Sequence, residues 1–293
     1  MLPAWLVVSR IIFGVMLVAV GASIASFWAL VAYRVPKNMA WWAGRSECDF
    51  CRRKIGWWEN IPVVYFAVLR GKCRYCHRHI DWLYWTWEIL LGLWTLGWFW
   101  WSCPVAKLFD PTDLAIGLLP FWEAVGGVWP LVSSLLWWAL GAVLIWIALV
   151  DWRTQTVATG WLWVVGVLGV AYLAGQLATG TLTVWQVAGR VISGMVVALT
   201  FVLINQVSRW WLKRPGIGSG DMWLVLMLAW WLPIKSLVVM FLLQFWLGAA
   251  VGLLVVCWAR RYRVSIAFLP FITSAFLASF YLGEPIFEAL FGA

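Results

Sequence analysis

The sequence predicts an all-α polytopic membrane protein with about eight transmembrane helices, and three observations carry this prediction. The 293 residues are 65% hydrophobic and only 11% charged, which is more apolar surface than a soluble domain of this length can bury. The apolar residues form runs close to the roughly 20 residues that a helix needs to cross the hydrocarbon core. The charged residues are concentrated in one polar region and in short segments between the runs.

Eight apolar runs account for the predicted spans. They cover about residues 5–33, 83–103, 132–150, 157–178, 184–211, 221–233, 236–258 and 266–290. The sixth begins at Asp221 and is short because Pro233 interrupts it. The stretch 104–131 contains proline and acidic residues, and its short apolar piece could dip into the membrane interface. We expect a first transmembrane helix in 1–33, a small polar domain in 34–82 and a seven-helix membrane domain in 83–293.

The basic residues predict which side of the membrane each segment faces. With eight spans, the polar region, Asp151, Asp221 and the basic cluster at 260–263 all lie on one side. That side also carries most of the remaining basic residues, so the positive-inside rule makes it cytoplasmic and places both termini outside. The net charge of +9 then indicates contact with anionic membrane lipids rather than with nucleic acid. No cleavable signal peptide is apparent.

Four cysteines in the polar region stand as two C-x-x-C pairs with 21 residues between them: Cys48, Cys51, Cys73 and Cys76. This spacing is typical of a structural Zn²⁺ site, in which each pair supplies two thiolates to a tetrahedral ion. Two disulfides are the alternative, but the reducing cytoplasm disfavours them. We therefore predict a zinc-ribbon-like domain. The neighbouring His77 and His79 are expected at the surface, with substitute ligation as the alternative.

A short polar stretch between two apolar runs suggests a catalytic loop. It contains three alternating glycines followed by an acid: Gly216, Gly218, Gly220 and Asp221. A carboxylate at membrane depth is costly and therefore indicates function. The glycines permit an unwound backbone beside a wet cavity, where an extended edge could pair with a substrate strand.

Asp151 supplies a second carboxylate at the edge of another apolar run. Two carboxylates held together share a proton, so one activates a water molecule while the other acts as the acid. We therefore predict that Asp151 and Asp221 hydrolyse a peptide bond at the membrane surface. Two local roles remain open: Asp151 could pair with Arg153 at the interface, and Asp221 could be the N-cap of the sixth span.

Several segments spread over most of the chain resemble the prepilin peptidases, the type IV leader peptidase family of bacterial inner-membrane GxGD-type aspartic proteases. They are residues 21–27 and 33–36 at the first span, 58–63 and 70–73 in the polar region, 216–221 in the glycine loop, and 267–271 at the last span. Asp151 stands where the first catalytic aspartate of the family is expected. The six residues 58–63, WENIPV, are a particularly specific match.

The resemblance implies a substrate class and a second activity. It implies cleavage of the short basic leader from type IV prepilins and from type II secretion pseudopilins, on the cytoplasmic side. It also implies N-methylation of the new N-terminus with S-adenosylmethionine. No glycine-rich fingerprint identifies residues for this methyl donor, and the sequence does not indicate an oligomeric state.

Two departures from the family pattern leave other functions open. Residues 157–159, Val-Ala-Thr, stand where the family has Leu-Pro-Asp, and Trp223 stands where it has lysine. A catalytically impaired homologue is therefore one alternative. A proton-coupled transporter is another, although both aspartates are predicted at one membrane face rather than at the midplane. A non-enzymatic assembly scaffold would explain the cysteines but not the aspartates.

Overall fold

The computed structural model describes residues 4–34, 40, 45–48, 50–56, 58–103, 127–156, 159–213, 216–259 and 267–292. The predicted interfacial piece within 104–126 lies outside these residues. Contacts divide the chain into two compact units, Met1–Ser134 and Leu135–Ala293, and each is described by itself.

The described residues are almost entirely helical, which confirms the predicted fold class. The helices are α1 (Ala4–Arg34), α2 (Val64–Val68), α3 (Trp82–Ser102), α4 (Val128–Thr154), α5 (Thr159–Ala178), α6 (Val184–Leu212), α7 (Ser219–Leu228), α8 (Ile234–Ala259) and α9 (Leu269–Phe291). Their bounds agree with the predicted spans to within a few residues, and α4 begins earlier than predicted.

Six of the described helices are long and apolar enough to cross a membrane: α1, α4, α5, α6, α8 and α9. Helix α3 contains 21 residues and one charged side chain, but seven of its residues are tryptophan, which lowers its mean hydropathy. Helix α7 has only 10 residues. The predicted number of about eight spans therefore depends on α3 and on the segment that contains α7.

The segment from α7 to α8 breaks earlier than the sequence indicates. We predicted an interruption at Pro233, whereas the helix ends at Leu228 and a buried turn follows. The Arg190 guanidinium, on α6, donates to the carbonyls of Trp230 and Trp231 at 3.3 and 3.5 Å. These bonds satisfy backbone carbonyls of the buried turn that follows the helix.

Contacts along α9 show how much of the membrane the segment from α7 to the start of α8 crosses. The start of α7 lies near the Asp151 carboxylate, which contacts Leu269 at the start of α9. At the start of α8, Ser236 lies against Gly283 near the other end of α9. Gly283 stands 14 positions after Leu269, which is a rise of about 21 Å along the helix. The segment therefore covers most of the roughly 30 Å hydrocarbon thickness even though α7 alone does not.

A few tryptophans inside the spans pack between helices, which accounts for a small part of the unusual tryptophan content. In the first unit, the fully buried Trp87 donates from Nε1 to the Ala25 carbonyl at 2.8 Å. In the second unit, Trp137 stacks on Phe280 at 3.6 Å between ring centroids and donates to the Tyr281 hydroxyl at 2.8 Å. Each indole supplies a large apolar surface and satisfies its own donor, as buried tryptophan requires.

Helices α1 and α3 of the first unit approach closely at a pair of glycines. A Cβ atom added to Gly21 would lie 2.6 Å from the Leu91 carbonyl oxygen and 2.9 Å from the Gly92 Cα. A Cβ at Gly92 would lie 2.9 Å from the Val18 carbonyl oxygen. Small residues allow helix backbones to meet in this way inside membranes.

We predict that Gly21→Ala destabilises the first unit, because the new methyl group overlaps backbone atoms as well as the Thr95 hydroxyl. Overpacking of this kind lowers the free energy of unfolding by about 1–3 kcal/mol. Thermal unfolding in detergent measures the change. Gly97→Ala is the matched control, since its Cβ would lie 3.7 Å from the Trp101 ring. Equal stability of the two variants would contradict the predicted close contact.

Candidate active site and metal centre

Asp151 lies in the last turn of α4 and is buried, with 5% of its surface exposed. Its Oδ2 accepts a hydrogen bond from the Leu269 backbone N–H at 3.3 Å. Leu269 is the first residue of α9, so this N–H belongs to the group that a helix N-terminus leaves without an intrahelical acceptor. The positive end of the α9 dipole therefore faces the Asp151 carboxylate.

Asp221 is also buried, with 9% exposure, and lies in the first turn of α7. The N-cap of this helix is Gly218, so the alternative that Asp221 itself is the N-cap is wrong. Asp221 stands three residues further on, and its carboxylate lies against Gly218. An acidic residue in the first turn stabilises a helix start through the helix dipole.

The fold brings the two carboxylates together at one end of the second unit. They lie close enough for the charge of Asp151 to act on Asp221. Each also faces a helix N-terminus, α9 for Asp151 and α7 for Asp221. Two buried carboxylates of like charge repel, which favours a shared proton, whereas the helix N-termini favour the ionised form. This geometry suits a pair with one charged and one protonated member.

The three glycines occupy different positions around Asp221. Gly216 lies in the bend before α7, Gly218 is its N-cap and Gly220 is its second residue. The backbone N–H groups of Gly216 and Ile217 donate to the Asn205 side chain. These two donors are therefore occupied in this conformation and are not open to a substrate strand here.

The two departures from the family pattern fall at different places. Trp223 is 49% exposed and lies two residues after the buried Asp221. Two helical residues are separated by about 200° around the axis, so the Trp223 side chain points away from the carboxylate pair. Thr159 is the first residue of α5, and residues 157–158 lie outside the described part of the chain.

The two C-x-x-C pairs of the first unit form matching knuckles. Each is closed by an isolated β-bridge, Glu47 with Lys54 and Lys72 with His79. In each knuckle the first cysteine donates its backbone N–H to the residue five positions later, at 3.0 Å for Cys48 and 2.9 Å for Cys73. The residue after each second cysteine has a left-handed backbone, with φ of 56° at Arg52 and 54° at His77.

The four thiols are arranged as a metal site requires. Their sulfur atoms all lie within 4.8 Å of one another, and Cys48 Sγ is 3.8 Å from Cys76 Sγ. A tetrahedron with Zn–S bonds of about 2.3 Å has edges of about 3.8 Å. The same separation is far longer than the roughly 2.05 Å of a disulfide. The donor set therefore fits zinc, while the exposed His77 and His79 stand outside it.

The thiols differ in how readily they ionise without a metal. Burial raises the pKa of Cys48 to about 11. Burial also opposes ionisation of Cys73, but the backbone N–H groups of Cys76 and Tyr75 and the neighbouring thiols outweigh it and lower its pKa to about 7.

Glutamates hold the segment between the knuckles, a role that the sequence reasoning missed. The buried Glu59 accepts from the Gly56 N–H at 2.7 Å and pairs with Arg74 at 3.3 Å. The Glu88 carboxylate, on α3, accepts from the Val63 N–H at 2.7 Å. The only available signal was the specificity of residues 58–63 as a motif.

We predict about one zinc ion per chain in the purified protein, held by the four clustered cysteines. Replacing any one of them with serine should lower the zinc content and loosen the polar region while the helices remain inserted. Inductively coupled plasma mass spectrometry measures the metal. Cys257→Ser is the matched control, because Cys257 is exposed and lies outside the cluster. Metal-free protein with disulfides within the two pairs would overturn this assignment.

Known proteins resemble both units. The bacterial peptidase A24 N-terminal domain matches residues 19–102, and the type IV leader peptidase family matches residues 138–253. A prepilin leader peptidase/N-methyltransferase of Myxococcus xanthus is 26% identical over 245 residues, covering 83% of this chain and 63% of the relative. A protein of the same name from Burkholderia pseudomallei strain K96243 is 26% identical, covering 85% of this chain and 70% of the relative. One from Bacillus subtilis is 24% identical, covering 91% of this chain and 93% of the relative.

No solved structure matches the chain. The match spans less than two thirds of the length of the Myxococcus relative but nearly all of the Bacillus relative. The two family matches cover the segments that hold the four clustered cysteines, Asp151 and Asp221. The chain therefore belongs to the type IV leader peptidase family, the prepilin peptidases.

Proposed function

We propose that this chain is a membrane aspartic endopeptidase that removes the short basic leader from type IV prepilins and type II secretion pseudopilins. The observation that carries this proposal is the approach of Asp151 and Asp221 at two helix N-termini, inside the segment that matches the peptidase family. The site consists of these two carboxylates and the loop at Gly216, Gly218 and Gly220. The family match and the names of the relatives support the reaction class.

The carboxylate pair supplies both proton transfers of peptide hydrolysis. The ionised member takes a proton from a water molecule lodged between the carboxylates, and that water attacks the scissile carbonyl carbon. The protonated member polarises the carbonyl oxygen with a hydrogen bond and then transfers its one proton to the leaving amine. The proton gained from water restores the pair for the next cycle, so the reaction needs no metal-bound step and no covalent intermediate.

The active site faces the cytoplasm of a bacterial inner membrane in this proposal. The end of the second unit that carries Asp151 and Asp221 also carries Arg153, Arg209 and Lys213. Two basic residues, Arg190 and Lys235, lie at the opposite ends of their helices among the described residues. The excess of basic residues at the aspartate end favours a cytoplasmic orientation.

The proposed division of labour follows the sequence domains. Residues 1–33 anchor the chain, residues 34–82 form the zinc module and residues 83–293 contain the peptidase. The zinc module presents exposed arginines over exposed aromatic rings, Arg53 over Tyr75 and Arg78 over Phe50, at 5.0 and 4.9 Å from the ring centroids. Such pairs suit the anionic headgroup region of a membrane, where apolar rings and cations are both favoured.

The chain also N-methylates the new N-terminus with S-adenosylmethionine in this proposal, which the names of the relatives support. We assign no residues to the methyl donor. A cavity of about 670 Å³ beside α1 and α3 is lined by apolar side chains and Arg10. This lining lacks an acidic group and does not fit a sulfonium cation.

The first test replaces each catalytic carboxylate. Asp151→Asn and Asp221→Asn preserve shape but cannot accept the proton from water, so each should lower leader cleavage by about 10³-fold or more. The double variant should be no worse than either single variant, because the two residues act as one unit. Purified protein with a prepilin-like substrate measures cleavage, and mass spectrometry of the product reads N-terminal methylation.

Asp81→Asn is the matched control for these variants. Asp81 is the N-cap of α3, where its carboxylate accepts from the Leu83 N–H, and asparagine caps a helix equally well. This variant should cleave normally. Near-normal cleavage by either Asp151→Asn or Asp221→Asn would disprove the dyad, and cleavage by neither the parent nor Asp81→Asn would favour a transporter, a scaffold or an impaired homologue.

A second test concerns position 223, where this chain has tryptophan and the family pattern has lysine. Since Trp223 is exposed and points away from Asp221, Trp223→Lys should be tolerated and should leave cleavage equal or faster. Steady-state cleavage by folded, zinc-loaded protein measures the effect. A clearly slower variant would mean that the substrate site depends on the indole ring.

A further inference from the structure

The Asn205 side chain holds the backbone directly before α7 with three hydrogen bonds. Its Oδ1 accepts the N–H groups of Gly216 and Ile217 at 2.9 and 2.8 Å, and its Nδ2 donates to the Ile217 carbonyl at 2.9 Å. Asn205 lies on α6, about two turns before its end, and is half-buried. A polar amide there is costly unless its groups are paired, and these three bonds pair them.

These hydrogen bonds act mainly on Ile217, the residue directly before the N-cap of α7. Ile217 is held on both its N–H and its C=O, so its peptide groups cannot rotate freely. The next residue, Gly218, is the N-cap of α7, and the Asp221 carboxylate lies against it. The backbone that Asn205 holds at Ile217 is therefore one residue away from the residue that the Asp221 carboxylate contacts.

Gly216 shows that the loop lies directly against α6. A Cβ added there would come within 2.6 Å of Ser208 Oγ and 3.2 Å of Ser208 Cβ. Gly216 is not among the residues with positive φ, so the close approach rather than an unusual backbone conformation requires glycine. The same close approach brings the loop within reach of Asn205.

Asparagine is the side chain that these contacts require. One planar side-chain group must accept hydrogen bonds from two backbone N–H groups and donate one hydrogen bond to a carbonyl. Only one methylene group separates this planar group from the α6 backbone. Aspartate has the acceptor but no donor and would place a charge against the Ile217 carbonyl, whereas glutamine is one methylene longer. Leucine keeps the approximate size and removes all three bonds.

We propose that Asn205 is a positioning residue for the peptidase reaction. By fixing Ile217 it sets where α7 begins and therefore where the Asp221 carboxylate lies relative to Asp151. This inference rests on the proposed peptidase function. Small displacements of a catalytic group lower the rate strongly, and about 1 Å can cost 10²-fold.

The test compares Asn205→Leu with Gln206→Ala in the full-length, zinc-loaded protein. Gln206 is an exposed amide one residue further along α6, so its removal controls for general effects on this helix. In Asn205→Leu, the amide hydrogens of 216 and 217 should exchange with deuterium at least about tenfold faster. Its kcat should fall about tenfold or more while KM stays within about twofold, because the change acts on the geometry of the reacting groups.

Each outcome of this comparison decides the question. Unchanged exchange at 216–217 would show that the Asn205 side chain does not hold this backbone. Faster exchange with unchanged kcat would show that Asn205 does not position the catalytic groups. A raised KM with unchanged kcat would assign Asn205 to substrate binding and also overturn the proposal. A parent protein that does not cleave the substrate at all would contradict the proposed function instead. The exchange comparison would still show whether Asn205 holds residues 216 and 217.

A second pair of variants keeps the proposal testable if Asn205→Leu does not fold. Gly216→Ala should push the loop off α6 and lower kcat, and adding Ser208→Gly should restore much of it by removing both overlapping atoms. Gly189→Ala is the control on the same helix, since a Cβ there meets no atom within 4 Å. Failure of Ser208→Gly to rescue Gly216→Ala would overturn the inferred loop contact.

Discussion

The second unit depends on holding two carboxylates together inside an apolar helical bundle. Burial and mutual repulsion both disfavour the doubly ionised pair, so its environment must favour at least one negative charge. The N-terminus of α9 faces Asp151 and the N-terminus of α7 faces Asp221. Helix dipoles and unpaired backbone N–H groups therefore provide the compensation that elsewhere comes from a basic side chain or a metal.

The sixth span is divided: the short helix α7 begins near the Asp151 carboxylate and ends at Leu228, before a buried turn. The chain places a short helix there and must then satisfy backbone polar groups at both of its ends. Asn205 pairs the loop before α7, and Arg190 pairs the carbonyls after it. Both residues belong to α6, so one long helix supports the whole interruption.

The sequence predicted the parts of this structure that follow from local pattern. Runs of apolar residues predicted the long helices, and the cysteine spacing predicted the four-thiol cluster. The end of α7 was predicted too late, because Pro233 marks only the last possible break, whereas Arg190, 40 residues away, stabilises the earlier one. Nothing in the sequence distinguished Asn205 from its neighbour Gln206, because the partners of Asn205 lie 11 and 12 residues away around a turn.

The two units obtain their order from different sources. The region around the knuckles is short and rich in exposed charged residues, and below about 40 residues a polypeptide rarely builds an adequate apolar core. Four thiolates that converge on one ion supply folding free energy directly, because the site does not exist in the unfolded chain. The carboxylate site is instead held by helix packing and by the hydrogen bonds that α6 and α9 make. A zinc ion bound at these thiols would therefore have a structural role, and we propose that Asp151 and Asp221 carry out the peptidase chemistry.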